Sequence, residues 1–391
     1  MHLVPISRRT SRKHLRMSGI ASITVAAVVL TLTGCAGETA GTEAPSNPIA
    51  VGEFPSYYPA DYGDIIAQSK EEGSDFVIYA NTNQAVWEPV FRDFQKKYPW
   101  VTKISANNID DEEVFQRQLS EMATNTPIAD LLIGSAATAW VEYAARDNSL
   151  MEYESPELSK LPDYAELLPN VYAISLDPIG FIYNTVVVDK PLTGLTDLAE
   201  FVTADPEKYE NMISTRDIGG LWGFQVMRAW AENSAAGWDV AEQIVPLARP
   251  ETSSGSQKDK VLSGEYAAAF VVSASVGYPA EKESSGLLKF VLPEDGTVVL
   301  SRGMGITPDA PHAATAKLFV DFIMSEEGQN AVAEGGLTSY RDSVKPGEGQ
   351  HTYQELVETV GEENVIRVPY EAITEAEVDE FTARWDGLLG R

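Results

Sequence analysis

One cysteine, Cys35, occurs in the 391 residues, so the chain has no partner with which to close an intramolecular disulfide. Histidine is nearly as scarce. Of the four present, His2 and His14 lie at the extreme N-terminus, leaving His312 and His351. This supply offers no Cys/His cluster at metal-ligand spacing and little for general acid–base chemistry. No Gly-x-Ser-x-Gly nucleophile elbow occurs, since Gly255-Ser256 lacks the pattern. Catalysis is therefore not expected, and no metal or cofactor is called for. Positive charge is the other shortage, with 29 Lys+Arg against 58 Asp+Glu and a formal net charge of −29. A surface this acidic argues against nucleic acid and anionic membrane surfaces as partners. Any anion site must be made locally, from backbone N–H groups or a few placed side chains. There is no internal repeat.

The few cations are unevenly placed. Arg8, Arg9, Arg12, Lys13 and Arg16 precede an apolar run from Ile20 to Leu32. That run falls short of the roughly 20 apolar residues a permanent membrane span needs, and has the form of a secretory leader. It ends in Leu32-Thr33-Gly34-Cys35, which resembles the bacterial lipobox, in which a diacylglyceryl group is attached to the cysteine sulfur before cleavage on its N-terminal side. An ordinary leader with a chance cysteine is the alternative, and the absence of any other thiol weighs against it. Ser7-Arg8-Arg9-Thr10 hints at twin-arginine export but lacks the apolar residues that usually follow. The expected boundaries are a leader over 1–34 and a lipid-anchored linker over 35–61. The linker, rich in Gly, Thr, Pro, Ser and Glu, cannot bury a core.

Residues 62–391 are long enough for two domains and alternate strand and helix patterns. Phe76-Val77-Ile78-Tyr79 reads as a strand, followed by a helix carrying Val86, Val90, Phe91 and Phe94 on one face. The same helical spacing recurs from Asp111 to Thr124. Leu131-Leu132-Ile133-Gly134 and Ile179 to Tyr183 are further strands, and Phe270-Val271-Val272 is a buried one in a second block. A helix after Pro311 turns Leu318, Phe319, Phe322 and Ile323 inward, and Ser325 before Glu326 and Glu327 predicts the cap of the next. Strand, helix, strand in this order implies an α/β fold with parallel sheet.

From Gly303 to Arg341 the chain contains Gly-Met-Gly-Ile, then Ala316 to Phe322, Ser325-Glu326-Glu327-Gly328-Gln329 and Gly335-Gly336-Leu337-Thr338-Ser339-Tyr340-Arg341. This stretch resembles the C-terminal signature of ABC-transporter solute-binding proteins of the ferric-iron type, a group that also takes phosphorylated organic solutes, aminophosphonates and polyamines. Tyr79-Ala80-Asn81-Thr82, Asp130-Leu131-Leu132 before Ser135, and Gly264 to Phe270 are similar to other parts of that family. The resemblance implies a type II periplasmic-binding-protein fold: two α/β lobes joined by two hinge crossovers, near Asp177 to Asn184 and Pro293 to Leu300. Lobe 1 would comprise 62–178 plus 299–391, and lobe 2 would comprise 179–298. It further implies a monomer that hands a small-molecule ligand to an ABC permease from the outer face of the cell membrane. A lipoprotein that senses the solute and feeds a signalling kinase is the alternative.

In such a cleft, ligands lie at helix N-termini, whose free N–H groups and dipole favour anionic groups. Polar residues suited to this are Asn81, Thr82 and Asn83; Ser135; Ser214 and Thr215; and Ser253, Ser254 and Ser256. Each of these residue types is also an ordinary helix cap. Asp217 could bind an amine or cap the helix after it. Gly219 lets backbone approach a ligand, and Trp222 forms either an apolar wall or part of a core. The two adjacent tyrosines of ferric-binding members fall here on Ser275 and Val276, with Tyr278 beyond. Serine hydroxyls replace poorly the hard phenolate donors that ferric ion wants, so Ser273 and Ser275 would rather bind a phosphate, phosphonate or carboxylate. The expected ligand is a small anionic or zwitterionic organic solute, with iron or a polyamine as alternatives.

Overall fold

The computed structural model describes residues 54–391; the leader, Cys35 and most of the linker lie outside the described residues. After α1 (Tyr62–Glu71) the chain runs β1 (Asp75–Ala80), α2 (Gln84–Lys97), β2 (Lys103–Asn108), α3 (Asp111–Thr124), β3 (Leu131–Gly134) and α4 (Ala137–Ala144). A short β4 (Glu166–Leu168) leads into β5 (Val171–Asn184). Then follow α5 (Leu195–Thr203), α6 (Pro206–Tyr209), β6 (Ile213–Arg216), α7 (Leu221–Asn233), α8 (Gly237–Ile244), β7 (Ala248–Glu251), α9 (Ser254–Ser263), β8 (Ala268–Ser273), α10 (Ala274–Glu283) and β9 (Leu288–Val291). The return comprises β10 (Thr297–Ile306), α11 (Ala313–Met324), α12 (Glu326–Glu334), α13 (Tyr353–Val360), β11 (Val365–Arg367) and α14 (Glu375–Leu389).

The strands form one 11-stranded sheet whose main path is β2-β1-β3-β10-β5-β8-β6-β7. It contains two parallel blocks, β2-β1-β3 and β8-β6-β7. Antiparallel β10 and β5 join them. All 14 residues of β5 are buried, including Ser175, Asp177 and Asn184, and the strand extends well before the Ile179 to Tyr183 run legible in the sequence. Up to Ile179 it pairs with β10; from Ile179 onward it pairs with β8 and β9. The chain thus passes between blocks along β5 and returns along β10, which is the two-lobed, two-crossover architecture.

A bulge marks this change of partner. The register slips between Gly180 and Phe181, leaving Val271 as the extra residue of β8 at a left-handed φ of 59°. A side chain at Gly180 would bring a Cβ within 2.3 Å of the Val291 carbonyl oxygen, so glycine is required there.

Local signals act as expected at several points. The Ser325 hydroxyl accepts the Gly328 N–H at 3.2 Å and caps α12, and Leu318, Phe319, Phe322 and Ile323 of α11 are buried. The C-terminal helix departs from the assignment of all of 299–391 to the first lobe. Phe381 and Trp385 of α14 pack on Trp238, and Phe381 also meets Phe224, all within the core of the second block. The cause is an aromatic pair one helical turn apart, which needs an apolar surface and finds it on α7 and α8.

Candidate functional site

The carboxyl ends of the parallel strands in both blocks turn into helices, and a cavity of about 610 Å³ opens between two of these edges. Ligands in open α/β sheets bind outside the carboxyl ends of the strands, where the strand order reverses. From the first block the cavity takes Asp110, Asp111, Glu112, Glu113 and Gln116, at the start of α3. From the second it takes Arg216 and Asp217 at the end of β6, Gly220 to Gly223 at the start of α7, and Thr252 after β7.

The two walls carry opposite chemistry. Four consecutive acids face the cavity from one side. On the other, the Arg216 guanidinium stacks 4.5 Å from the Trp222 ring centre. Burial brings the Arg216 pKa down to about 10, opposed by neighbouring Asp217, so the group remains cationic at neutral pH. Its Nε is buried without a hydrogen-bond partner. Gly220, the N-cap of α7, has no side chain with which to cap the helix, and the residues of its first turn line the same cavity. Their N–H groups and the helix dipole add positive character to this wall.

Beside the cavity, Arg302 of β10 is largely buried, its side chain 13% exposed. Its Nη1 donates to Asn81 Oδ1 at 2.7 Å and to Thr82 Oγ1 at 2.9 Å, and its Nη2 meets Asp177 Oδ2 at 3.1 Å. Asn81 in turn donates to the Ser135 hydroxyl at 2.7 Å. The first-block loops expected to contact ligand are thus gathered around an arginine.

Of the residues expected to bind ligand, Asp217 and Trp222 line the large cavity, and Gly219 lines a neighbouring one of about 260 Å³. Several others are engaged within the protein. Asn83 caps α2, accepting the Ala85 N–H at 3.0 Å. Ser214 and Thr215 are fully buried on β6. Ser253 caps α9, the Ser254 hydroxyl accepts the Ser273 N–H at 3.2 Å, and Ser256 donates to Glu251 Oε2 at 2.7 Å. Ser273 and Ser275 share a hydrogen bond of 2.9 Å at the start of α10. Tyr278 packs against Phe290 and stacks on His351 instead of lining the cavity. Of these serines, only Ser256 gives its hydroxyl to a carboxylate; Ser253 and Ser254 accept backbone N–H groups, and Ser273 and Ser275 pair with each other.

Sequence reasoning missed Arg216, Arg302 and the acidic wall. Arg216 carried one signal, a cation directly before Asp217 at a strand end. The acids read simply as the first turn of a helix, where the dipole favours them anyway.

Residues 90–356 match the model of a family described as bacterial extracellular solute-binding protein. A Haemophilus influenzae protein, itself uncharacterised, is 25% identical over 290 residues, spanning 70% of this chain and 80% of its own. Among solved structures, the substrate-binding protein of an ABC transporter from Agrobacterium tumefaciens superposes with a TM-score of 0.71 at 20% identity, covering 81% of this chain and 94% of that one. The periplasmic binding protein AfuA from Actinobacillus pleuropneumoniae, solved with fructose-6-phosphate, gives 0.63 at 20% identity, covering 81% and 98%. Iron-bound HitA from Pseudomonas aeruginosa gives 0.59 at 18% identity, covering 80% and 99%. The solved neighbours are binding proteins, and among the described residues no helix is long and apolar enough to cross a membrane. With most of its length matched and its two-lobed fold shared, the chain belongs to the bacterial extracellular solute-binding proteins, which capture small solutes for ABC transporters.

Proposed function

We propose that the solute is a small zwitterion, with one acidic and one amino group, held between the two walls of the 610 Å³ cavity. The observation that carries this reading is the opposition of the walls. Arg216, Thr252 and the free N–H groups of α7 suit a carboxylate, phosphate or phosphonate. The acids Asp110, Glu112 and Glu113 of the facing wall suit an ammonium group. The lobes would be 62–178 plus most of 299–391, and 179–298, closing about β5 and β10. The protein would act as a monomer tethered through a diacylglyceryl group on Cys35 and would deliver its ligand to a permease. Replacing Cys35→Ser is expected to move it from the membrane fraction to the medium or to leave it unprocessed; a variant still membrane-bound at the processed mass would sink the anchor.

A thermal-shift screen tests the solute class, because a ligand that binds only the native state stabilises by RT ln(1 + [L]/Kd), ~2.7 kcal/mol at a hundredfold excess over Kd. Amino acids and aminophosphonates should raise the melting temperature, whereas phosphorylated sugars and ferric salts should not. Arg216→Ala should cost about 2 kcal/mol or more of binding, the worth of a charge-assisted hydrogen bond. A polyamine is the second reading, supported by the four acids of one wall. It separates cleanly, since removing Arg216 would leave polyamine affinity unchanged or raise it. Stabilisation by phosphorylated sugars alone would overturn the zwitterion reading.

A further inference from the structure

The N-terminus of α4 is already occupied by side chains. The Ser135 N–H donates to Asp111 Oδ1 at 2.7 Å, the Ala136 N–H donates to the same oxygen at 3.3 Å, and the Ser135 hydroxyl donates to Asp111 Oδ2 at 3.1 Å. The next N–H, of Ala137, donates to Gln225 Oε1 at 2.9 Å, and Gln225 Nε2 donates to the Ser135 carbonyl at 2.8 Å. Ser135 is 1% exposed. Two successive N–H groups and a buried hydroxyl therefore converge as an oxyanion cradle would, and a carboxylate from 24 residues away fills it, while Gln225 takes the third N–H. Gly134 adjoins it, and a Cβ there would lie 3.0 Å from Asp111 Oδ1, so the close seat of the carboxylate depends on the bare backbone.

We infer that Asp111 is a built-in anion that sets specificity. Its carboxylate takes the place an acidic group of a ligand would otherwise find at α4, leaving the wall of Arg216 and α7 as the anion site of the cleft. The solute is thereby restricted to one acidic group, and diacids are refused. This rests on the zwitterion reading for the identity of the solute, whereas the state of the cradle is measurable without it.

The test uses inorganic phosphate at matched ionic strength on the full chain. In an Arg216→Ala background the wild-type anion wall is disabled, and phosphate should neither bind nor stabilise. Adding Asp111→Ala should create saturable phosphate binding, with a rise in melting temperature that Arg216→Ala alone does not show. Asp111→Asn in the same background keeps an acceptor for the Ser135 N–H but no charge, so phosphate should compete for the cradle with intermediate affinity. If the alanine double variant does not fold, the asparagine one decides. A folded double variant as indifferent to phosphate as Arg216→Ala alone would overturn the inference. Failure of the zwitterion reading would show elsewhere, as solute affinity unchanged in Arg216→Ala.

Discussion

Arg302→Met is expected to destabilise the protein by about 3 kcal/mol, the low end of the cost of removing one partner of a buried ion pair, because Arg302 keeps 13% of its side chain exposed. The guanidinium is the only cation within 4 Å of the Asp177 carboxylate among the described residues, and Asp177 is 5% exposed. Without Arg302 that carboxylate keeps the Thr338 N–H, at 3.4 Å, and little else. Asn81 and Thr82 lose their shared donor in the same stroke, so the loop between β1 and α2 should loosen. The double variant Arg302→Met with Asp177→Leu should recover most of the loss, because two apolar side chains remove the stranded charge along with the pair. Urea unfolding of the wild type, both single variants and the double variant closes the cycle. Single and double variants of equal stability would mean that Asp177 is hydrated and that Arg302 does not hold the loop after β1.

That arginine also shows where reading the sequence succeeds and where it stops. Continuous apolar runs such as Phe76 to Tyr79, Leu131 to Gly134 and Phe270 to Val272 are legible because burial on both faces of a sheet leaves no room for polar residues. The cap at Ser325 is legible because the hydroxyl and the N–H it accepts are three residues apart. Ligand serines are not, since a serine at a strand-to-helix turn serves a ligand or the fold according to what reaches it from elsewhere. Asp111 reaches Ser135 from a different helix, and Glu251 claims Ser256 across a turn whose sequence carries no sign of it. Arg216 and Arg302 sit in strands, where a single cation makes no pattern, and their roles arise from the register of the sheet. The aromatic face of α14 could have been found from the spacing of Phe381 and Trp385, although its destination depends on tertiary packing.

Wild type should gain stability relative to Asp321→Asn as the pH falls from 7.5 to 4. Asp321 is buried on α11, where its carboxylate accepts hydroxyl hydrogen bonds from Tyr62 at 2.7 Å, Tyr153 at 2.6 Å and Ser155 at 2.6 Å. Burial outweighs these three donors and pushes the Asp321 pKa up to about 6, against roughly 3.9 for an unfolded aspartate. Between those values the folded state binds a proton that the unfolded state does not. The resulting stability is fully present below the unfolded pKa and is lost as pH rises through about 6. Asparagine does not titrate, so the difference between the two proteins isolates this residue from the general relief of repulsion when so acidic a chain is acidified. The difference should grow by on the order of 2 kcal/mol in favour of wild type across that range, at 1.36 kcal/mol per pKa unit. At pH 7.5 itself the two should lie closer together, since asparagine sheds a buried charge but offers its amide N–H groups where hydroxyl donors already point. Urea midpoints at four pH values, with the slope checked for constancy, give the measurement. A difference that stays flat between pH 7 and 4 would show that Asp321 titrates as an unfolded carboxylate does, and that water reaches it through Tyr62 and Tyr153.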